Sequence, residues 1–297
     1  MKRKQASRTA EYMAFFRALE SVRRKDRRIV SDPFAAGFIS LGLRTAVRLS
    51  RFRVIGGLVE RYADRRLPGA RTSAIARTRL IDDLLMAHLE ENPRQVVILG
   101  AGFDCRAYRL PLPRTTTIFE VDHPSTQTAK LERLRGMLEK VPENTRFVGI
   151  DFNQESLAER LRDAGFDPSL PSVFIWEGVS HYLAQDAVDA VLGYVAGCCA
   201  GSLLIFTYIH AGLLNGSATF DGGKRILEDV AALDEPWVFG LEPEGLHDYL
   251  RRRGLQLYSD ASAWQYRNRY YDRAAARMRG YGFYHVAAAQ VTRGTGC

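Results

Sequence analysis

Five short apolar runs separated by helical stretches constrain the fold of this chain more than any other feature. Val96–Val97–Ile98–Leu99 stops at Gly100, Thr117–Ile118–Phe119–Glu120–Val121 at Asp122, and Arg146–Phe147–Val148–Gly149–Ile150 at Asp151. Val173–Phe174–Ile175–Trp176 stops at Glu177–Gly178, and Ser202–Leu203–Leu204–Ile205–Phe206 near Thr207. Short runs lacking a polar face read as strands buried on both sides, with helical spacing at about 125–140, 155–165 and 185–199 filling the gaps. This alternation predicts a doubly wound, mostly parallel α/β sheet with helices on both faces. A last apolar run, Phe283 to Val291, would add an edge strand.

Upstream, Tyr12, Phe15, Phe16 and Leu19 recur at helical spacing within residues 9–30, and Ser31–Asp32–Pro33 breaks the pattern. A second helix is expected over 72–91, with Ile75, Leu80, Leu84, Leu85 and Leu89 near one face and Asn92–Pro93 as its stop. No internal repeat or Pro-, Gly- or Ser-rich linker divides the chain. One domain is therefore expected over 1–297: a helical extension, 1–91, closing as a lid over a sheet core, 92–297. Phe15, Phe16 and Arg17 would face the acceptor site. Such a lid would be separable, so removing residues 1–30 should abolish turnover and spare cofactor binding.

Composition excludes several classes. Apolar residues make up 46% and charged residues 26%, which does not describe a disordered chain. No apolar run approaches the roughly 20 residues of a membrane span, and no membrane partner is expected. The basic start Met1–Lys2–Arg3–Lys4 lacks the apolar stretch of a signal peptide. Cys105, Cys198, Cys199 and Cys297 form neither a CxxC pair nor a disulfide framework, as in a reduced, cytoplasmic chain without a metal site. The net charge of +8 is uneven, because residues 1–80 hold 20 of the 42 Lys+Arg and 6 of the 34 Asp+Glu. The densest cluster, Arg23–Arg24–Lys25–Asp26–Arg27–Arg28, is interrupted by an acid and has no interleaved aromatic residue, which argues against nucleic acid.

Ligands of a doubly wound sheet bind beyond the carboxyl ends of its strands. Here those ends carry Gly100–Ala101–Gly102, then Glu120 and Asp122, then Asp151, then Glu177. A dinucleotide fingerprint needs a third glycine where this chain has Cys105, and a pyrophosphate disfavours the neighbouring Asp104. Acids about 20 residues after the turn suit the two hydroxyls of a ribose. Ribose without pyrophosphate points to an adenosine ligand such as S-adenosylmethionine.

The segments from Val96 to Leu110 and from Phe119 to Pro124 resemble the leucine carboxyl methyltransferase family, above all its bacterial branch of S-adenosylmethionine-dependent O-methyltransferases, which includes polyketide carboxyl methyltransferases. The likeness continues through Ser31–Asp32–Pro33–Phe34–Ala35, Ala76–Arg77–Thr78, Asp151–Phe152 and Glu177–Gly178–Val179–Ser180–His181–Tyr182–Leu183, spanning about residues 7–210. It implies a class I methyltransferase sheet of seven strands with one antiparallel. It also implies that Arg77 meets the methionine carboxylate, Asp122 the ribose, Asp151–Phe152 the adenine, and that Glu177 touches the cofactor. Gly100, Ala101 and Gly102 would bring backbone to the ligand, with Glu120 a near neighbour of the ribose.

The acceptor implied is a small molecule offering a carboxylate or a hydroxyl, with secondary metabolites among the candidates. A carboxylate arrives ionised, whereas a hydroxyl calls for a base, for which His181 and His210 are candidates, with Tyr208 and Tyr182 at the pocket. Two other readings fit parts of the pattern: an NAD(P)-dependent oxidoreductase on a similar sheet, and a non-catalytic methyltransferase-like binding protein. Monomer and homodimer are both open.

Overall fold

The computed structural model describes residues 8–89, 94–152 and 154–292, so the expected helix stop at Asn92–Pro93 and the lid–core boundary near residue 91 lie outside the described residues. Four helices come first: α1 (Arg8–Ser21), α2 (Leu41–Leu49), α3 (Arg53–Arg66) and α4 (Ala70–Leu89). Next come β1 (Gln95–Leu99), α5 (Arg106–Arg109), β2 (Thr117–Asp122), α6 (Pro124–Leu134), β3 (Thr145–Gly149), α7 (Leu157–Asp163), β4 (Ser172–Trp176) and α8 (Gln185–Ala196). The chain finishes with β5 (Leu203–Ile209), α9 (Ala211–Asn215), α10 (Gly223–Ala231), α11 (Leu246–Arg251), β6 (Leu255–Ser262), α12 (Ala263–Tyr271) and β7 (Tyr284–Val291).

The sheet order is β3-β2-β1-β4-β5-β7-β6, with β7 antiparallel to both neighbours and the rest parallel. This is the mostly parallel seven-stranded sheet that the sequence implies. The last apolar run sits one place in from the edge, because β6 pairs with its outer side. Alternation along each strand divides the core. Val97, Leu99, Phe119, Phe174, Trp176 and Phe206 pack beneath α7, α8 and α11. Val96, Ile98, Ile118, Val173, Ile175 and Ile205 pack beneath α4, α10 and α12. Burying both faces explains why the central strands have no polar side.

A third apolar cluster joins the N-terminal helices to the sheet through Phe15, Phe16, Phe38, Ile75 and Phe103. Phe15 and Phe16 are thus core residues and do not face an acceptor site. α1 ends at Ser21, earlier than the expected residue 30, and a short 3₁₀ turn covers Lys25–Arg27. Asp32 explains the break: its Oδ1 accepts from the backbone N–H of Phe34 and Ala35, and its Oδ2 accepts from Arg17 Nε at 2.8 Å. Arg17 Nη2 also donates to the Phe103 carbonyl at 2.5 Å, so one guanidinium ties α1 to the turn after β1.

Cys105 and Cys198 are buried free thiols, and Cys297 lies outside the described residues. Among the described residues, no helix is long and apolar enough to cross a membrane.

Candidate active site

Strand order reverses between β1 and β4, and a cavity of about 350 Å³ opens at their carboxyl ends. Gly100 and Gly102 turn the chain there with φ of +66° and +42°. A Cβ on Gly100 would lie 2.3 Å from Val179 Cγ2, so the turn after β1 touches the loop after β4 through bare backbone. The same turn donates the Gly102 N–H to Asp122 Oδ2, and Asp122 Oδ1 accepts from the His123 N–H at 2.6 Å. Burial raises the Asp122 carboxyl despite these two donors.

Glu177 sits between two guanidiniums. Arg77 Nε donates to its Oε1 and Arg106 Nη1 to its Oε2, each at 2.8 Å. Arg106 also donates to Asp82 at 2.8 Å and pairs with Asp104, while Arg109 grips both Asp82 oxygens at 2.7 and 2.8 Å. Burial pushes Glu177 upward, but Arg106 and then Arg77 outweigh it and hold the carboxyl below its usual range. Asp104, likewise buried, is brought to about 2 by Arg106, Lys130 and Arg109. Three carboxylates and three guanidiniums balance, as buried charges must.

Of the residues singled out from sequence, Arg77, Gly100, Ala101, Gly102, Asp122, Asp151, Phe152, Glu177 and His181 line this one cavity. Three others do not. Glu120 is 1% exposed and its Oε2 lies 2.7 Å from Lys130 Nζ, off the cavity wall. It stands two residues, about 6.6 Å, short of the strand end, so its side chain meets α6 and not a ligand. Tyr208 alternates onto the opposite face of β5, where its hydroxyl donates to Asp260 at 2.9 Å and its ring stacks on His285. His210 lies past the end of β5 and caps α9, its Nδ1 accepting the Gly212 N–H at 3.0 Å.

His181 is a buried wall residue in contact with the rings of Tyr182, Trp237 and Tyr284. Burial first, and the Arg77 charge second, lower its pKa to about 3. His123 also reaches the cavity, next to Asp122, but its Nδ1 caps α6 by accepting from Ser125 N–H at 3.2 Å. Sequence reasoning missed Arg106 and the C-terminal wall of Trp237, Tyr281 and Tyr284. Of the α1 residues expected at the site, Arg17 does face the cavity, and Ala10 and Met13, which were not expected, stand beside it. The Tyr284 ring lies 4.7 Å beneath the Arg77 guanidinium, a cation–π arrangement that helps to fix it.

The family model described as leucine carboxyl methyltransferase matches residues 10–196. A protein of Mycolicibacterium vanbaalenii, provisionally named an S-adenosyl-L-methionine-dependent methyltransferase, is 35% identical over 239 residues, covering 77% of this chain and 75% of its own. A similarly named protein of Mycolicibacterium smegmatis is 33% identical over 260 residues, covering 84% and 83%. A solved DUF574 family protein from Streptomyces avermitilis shares the fold, with TM-score 0.58 and 15% identity across 96% of this chain and 97% of that one. A solved structure from Thermobifida fusca, provisionally titled a methyltransferase, gives 0.57 and 16% across 93% and 97%. The chain therefore belongs to the leucine carboxyl methyltransferase family and is a methyltransferase.

Proposed function

We propose that this enzyme is an S-adenosylmethionine-dependent O-methyltransferase that esterifies the carboxylate of a small-molecule acceptor. The observation that supports it best is the convergence of the Gly100–Gly102 turn, Asp122, Asp151–Phe152, Arg77 and Glu177 on a single cavity. These residues fit the donor. Bare backbone at Gly100 allows close approach, Asp122 would accept from the ribose hydroxyls, and Asp151 would accept from the adenine amine while Phe152 covers the ring. Arg77 would meet the methionine carboxylate, and Glu177 the ammonium group of the same arm. The donor supplies a methyl group on a positively charged sulfur.

The chain's own part in transfer is placement and exclusion of water. An acceptor oxygen forms its bond to the methyl carbon as the carbon–sulfur pair returns to sulfur, so opposite charges cancel. A wall of Met13, Trp237, Tyr281 and Tyr284 favours that cancellation over solvated ions. The carboxylate reading rests on His181. An imidazole at about 3 would take a proton from a phenol near 10 only at a cost of roughly 9 kcal/mol. Tyr208 and His210 lie off the cavity, so an acceptor that arrives already ionised suits the site.

Calorimetry with S-adenosylmethionine, S-adenosylhomocysteine and NAD tests the donor. Binding of the first two and not of NAD is expected; NAD binding alone would restore the oxidoreductase reading. With methyl-labelled donor and a panel of carboxylic acids and phenols, the label should leave the product as methanol on mild alkaline hydrolysis. A label stable to alkali would replace the carboxylate by a hydroxyl.

A further inference from the structure

Helices α2 and α3 turn an apolar, arginine-lined face to solvent. Leu41, Leu49, Phe52, Val54, Leu58 and Tyr62 are 44–76% exposed, and no residue of α3 is buried. Val54, Leu58 and Tyr62 recur every four residues and form one stripe along α3. Arg61 and Arg65 flank the stripe, Arg51 and Arg53 flank Phe52 at the turn, and Arg48 stands beside Leu49 on α2; all five are exposed. The two acids of the segment are taken up by arginines outside it. Glu60 lies 3.7 Å from both Arg23 and Arg71, and Asp64 takes Arg71 at 2.8 Å. The charged residues of 41–66 that are exposed are all arginines.

Water alone does not account for aliphatic and aromatic side chains on such a face, and methyl transfer makes no use of them. A second copy docking through the same patch by two-fold symmetry would set arginines against arginines. A surface with anionic headgroups over an apolar interior satisfies both halves of the pattern, which is that of a helix lying in a membrane interface. We propose that the α2–α3 face is a peripheral docking surface for an anionic lipid bilayer. This revises the expectation of no membrane partner and does not rest on the methyl-transfer reading. α1, whose Ala10 and Met13 line the cavity and whose Tyr12 is exposed, packs against α2. Seated this way, the chain holds that helix next to the bilayer.

The test is co-sedimentation of the full chain with phosphatidylcholine vesicles, with and without one-third phosphatidylglycerol, at moderate salt. Retention on the anionic vesicles should exceed that on neutral ones about tenfold or more. Leu58→Asp with Tyr62→Asp should abolish it, and Arg61→Glu with Arg65→Glu should reduce it to the neutral level. Both double variants should keep the wild-type affinity for S-adenosylhomocysteine, since none of the four residues lines the cavity. No retention, equal retention on both vesicles, or unchanged retention in both variants overturns the proposal. So does light scattering that shows a dimer split by Leu58→Asp with Tyr62→Asp and no vesicle binding, or duplex DNA outcompeting the vesicles with a steep salt dependence. Failure of the wild type to bind S-adenosylhomocysteine would sink the methyltransferase assignment of the cavity and leave this proposal standing.

Discussion

Arg106 Nη1 lies 2.8 Å from Glu177 Oε2, joining the helix after the glycine turn to the end of β4 across the point where strand order reverses. The other oxygen of Glu177 belongs to Arg77, so the carboxylate that lines the cavity is held from two elements before any ligand arrives. A fixed carboxylate needs no reorganisation when a cation binds beside it.

Removing Arg106 would take the ion-pair partner of Asp104 and one of the partners of Glu177 and of Asp82. Arg106→Met should destabilise the fold by about 3–5 kcal/mol, a fall in Tm on the order of 10 °C, measured by scanning calorimetry. A Tm within about two degrees of wild type would mean that Arg77 and Arg109 hold the acids alone.

Asp122 accepts only backbone donors and bears no ion pair within 4 Å among the described residues, so its loss should be felt by ligand more than by the fold. A charge-assisted hydrogen bond to a hydroxyl contributes about 1.5–3 kcal/mol. Asp122→Ala should weaken S-adenosylhomocysteine binding roughly 10- to 100-fold by calorimetry while Tm changes little. Unchanged affinity would remove Asp122 from the ribose site.

Glu120 gives the opposite result. It is paired with Lys130, both almost wholly buried, and lies off the cavity. Glu120→Gln should lower stability by about 3 kcal/mol or more through an uncompensated ammonium, yet keep S-adenosylhomocysteine affinity within about twofold. A large loss of affinity in a folded Glu120→Gln protein would place this residue back at the ligand.

The contrast between these two acids shows where sequence reasoning reaches its limit. Strand runs and the residues at their ends could be read because burial on both faces leaves an apolar string and then a turn. That string did not say which of two acids in β2 stands at the lip: both lie on one face of the strand, the resemblance gave the ribose to Asp122, and the rise counted back from the strand end sets Glu120 away from the lip. β5 extends to Ile209, three residues beyond the apolar run that announced it, which carries His210 past the lip and puts Tyr208 on the far face. Trp237, Tyr281 and Tyr284 reach the cavity from the C-terminal third, where long-range antiparallel pairing leaves no local motif. The Asp104–x–Arg106 spacing was visible, but the Asp82 and Glu177 partners that make Arg106 central are far away in sequence.

Stability should depend on pH through His181. Its folded pKa, about 3, lies below the ordinary 6.5, so stability is complete above about pH 6.5 and is lost as pH falls toward 3. The slope from this one group approaches 1.4 kcal/mol per pH unit. Asp104, lowered from 3.8 to about 2, adds a second loss between those values. Urea unfolding at pH 7 and pH 5 should show about 2 kcal/mol less stability at the lower pH, and His181→Phe should remove most of that difference. Equal slopes in the two proteins would show that His181 does not stay neutral in the fold.

Arg17 gives the first helix a double duty. Its guanidinium holds Asp32 with one nitrogen and the Phe103 carbonyl with another, while Ala10 and Met13 on the same helix form cavity wall. The helix is therefore no hinged door that could be taken off its frame: trimming the first thirty residues would strip a side of the chamber and unbrace the glycine loop. Such a shortened chain should fail to hold the nucleoside as well as the acceptor, contrary to the behaviour of a detachable cover.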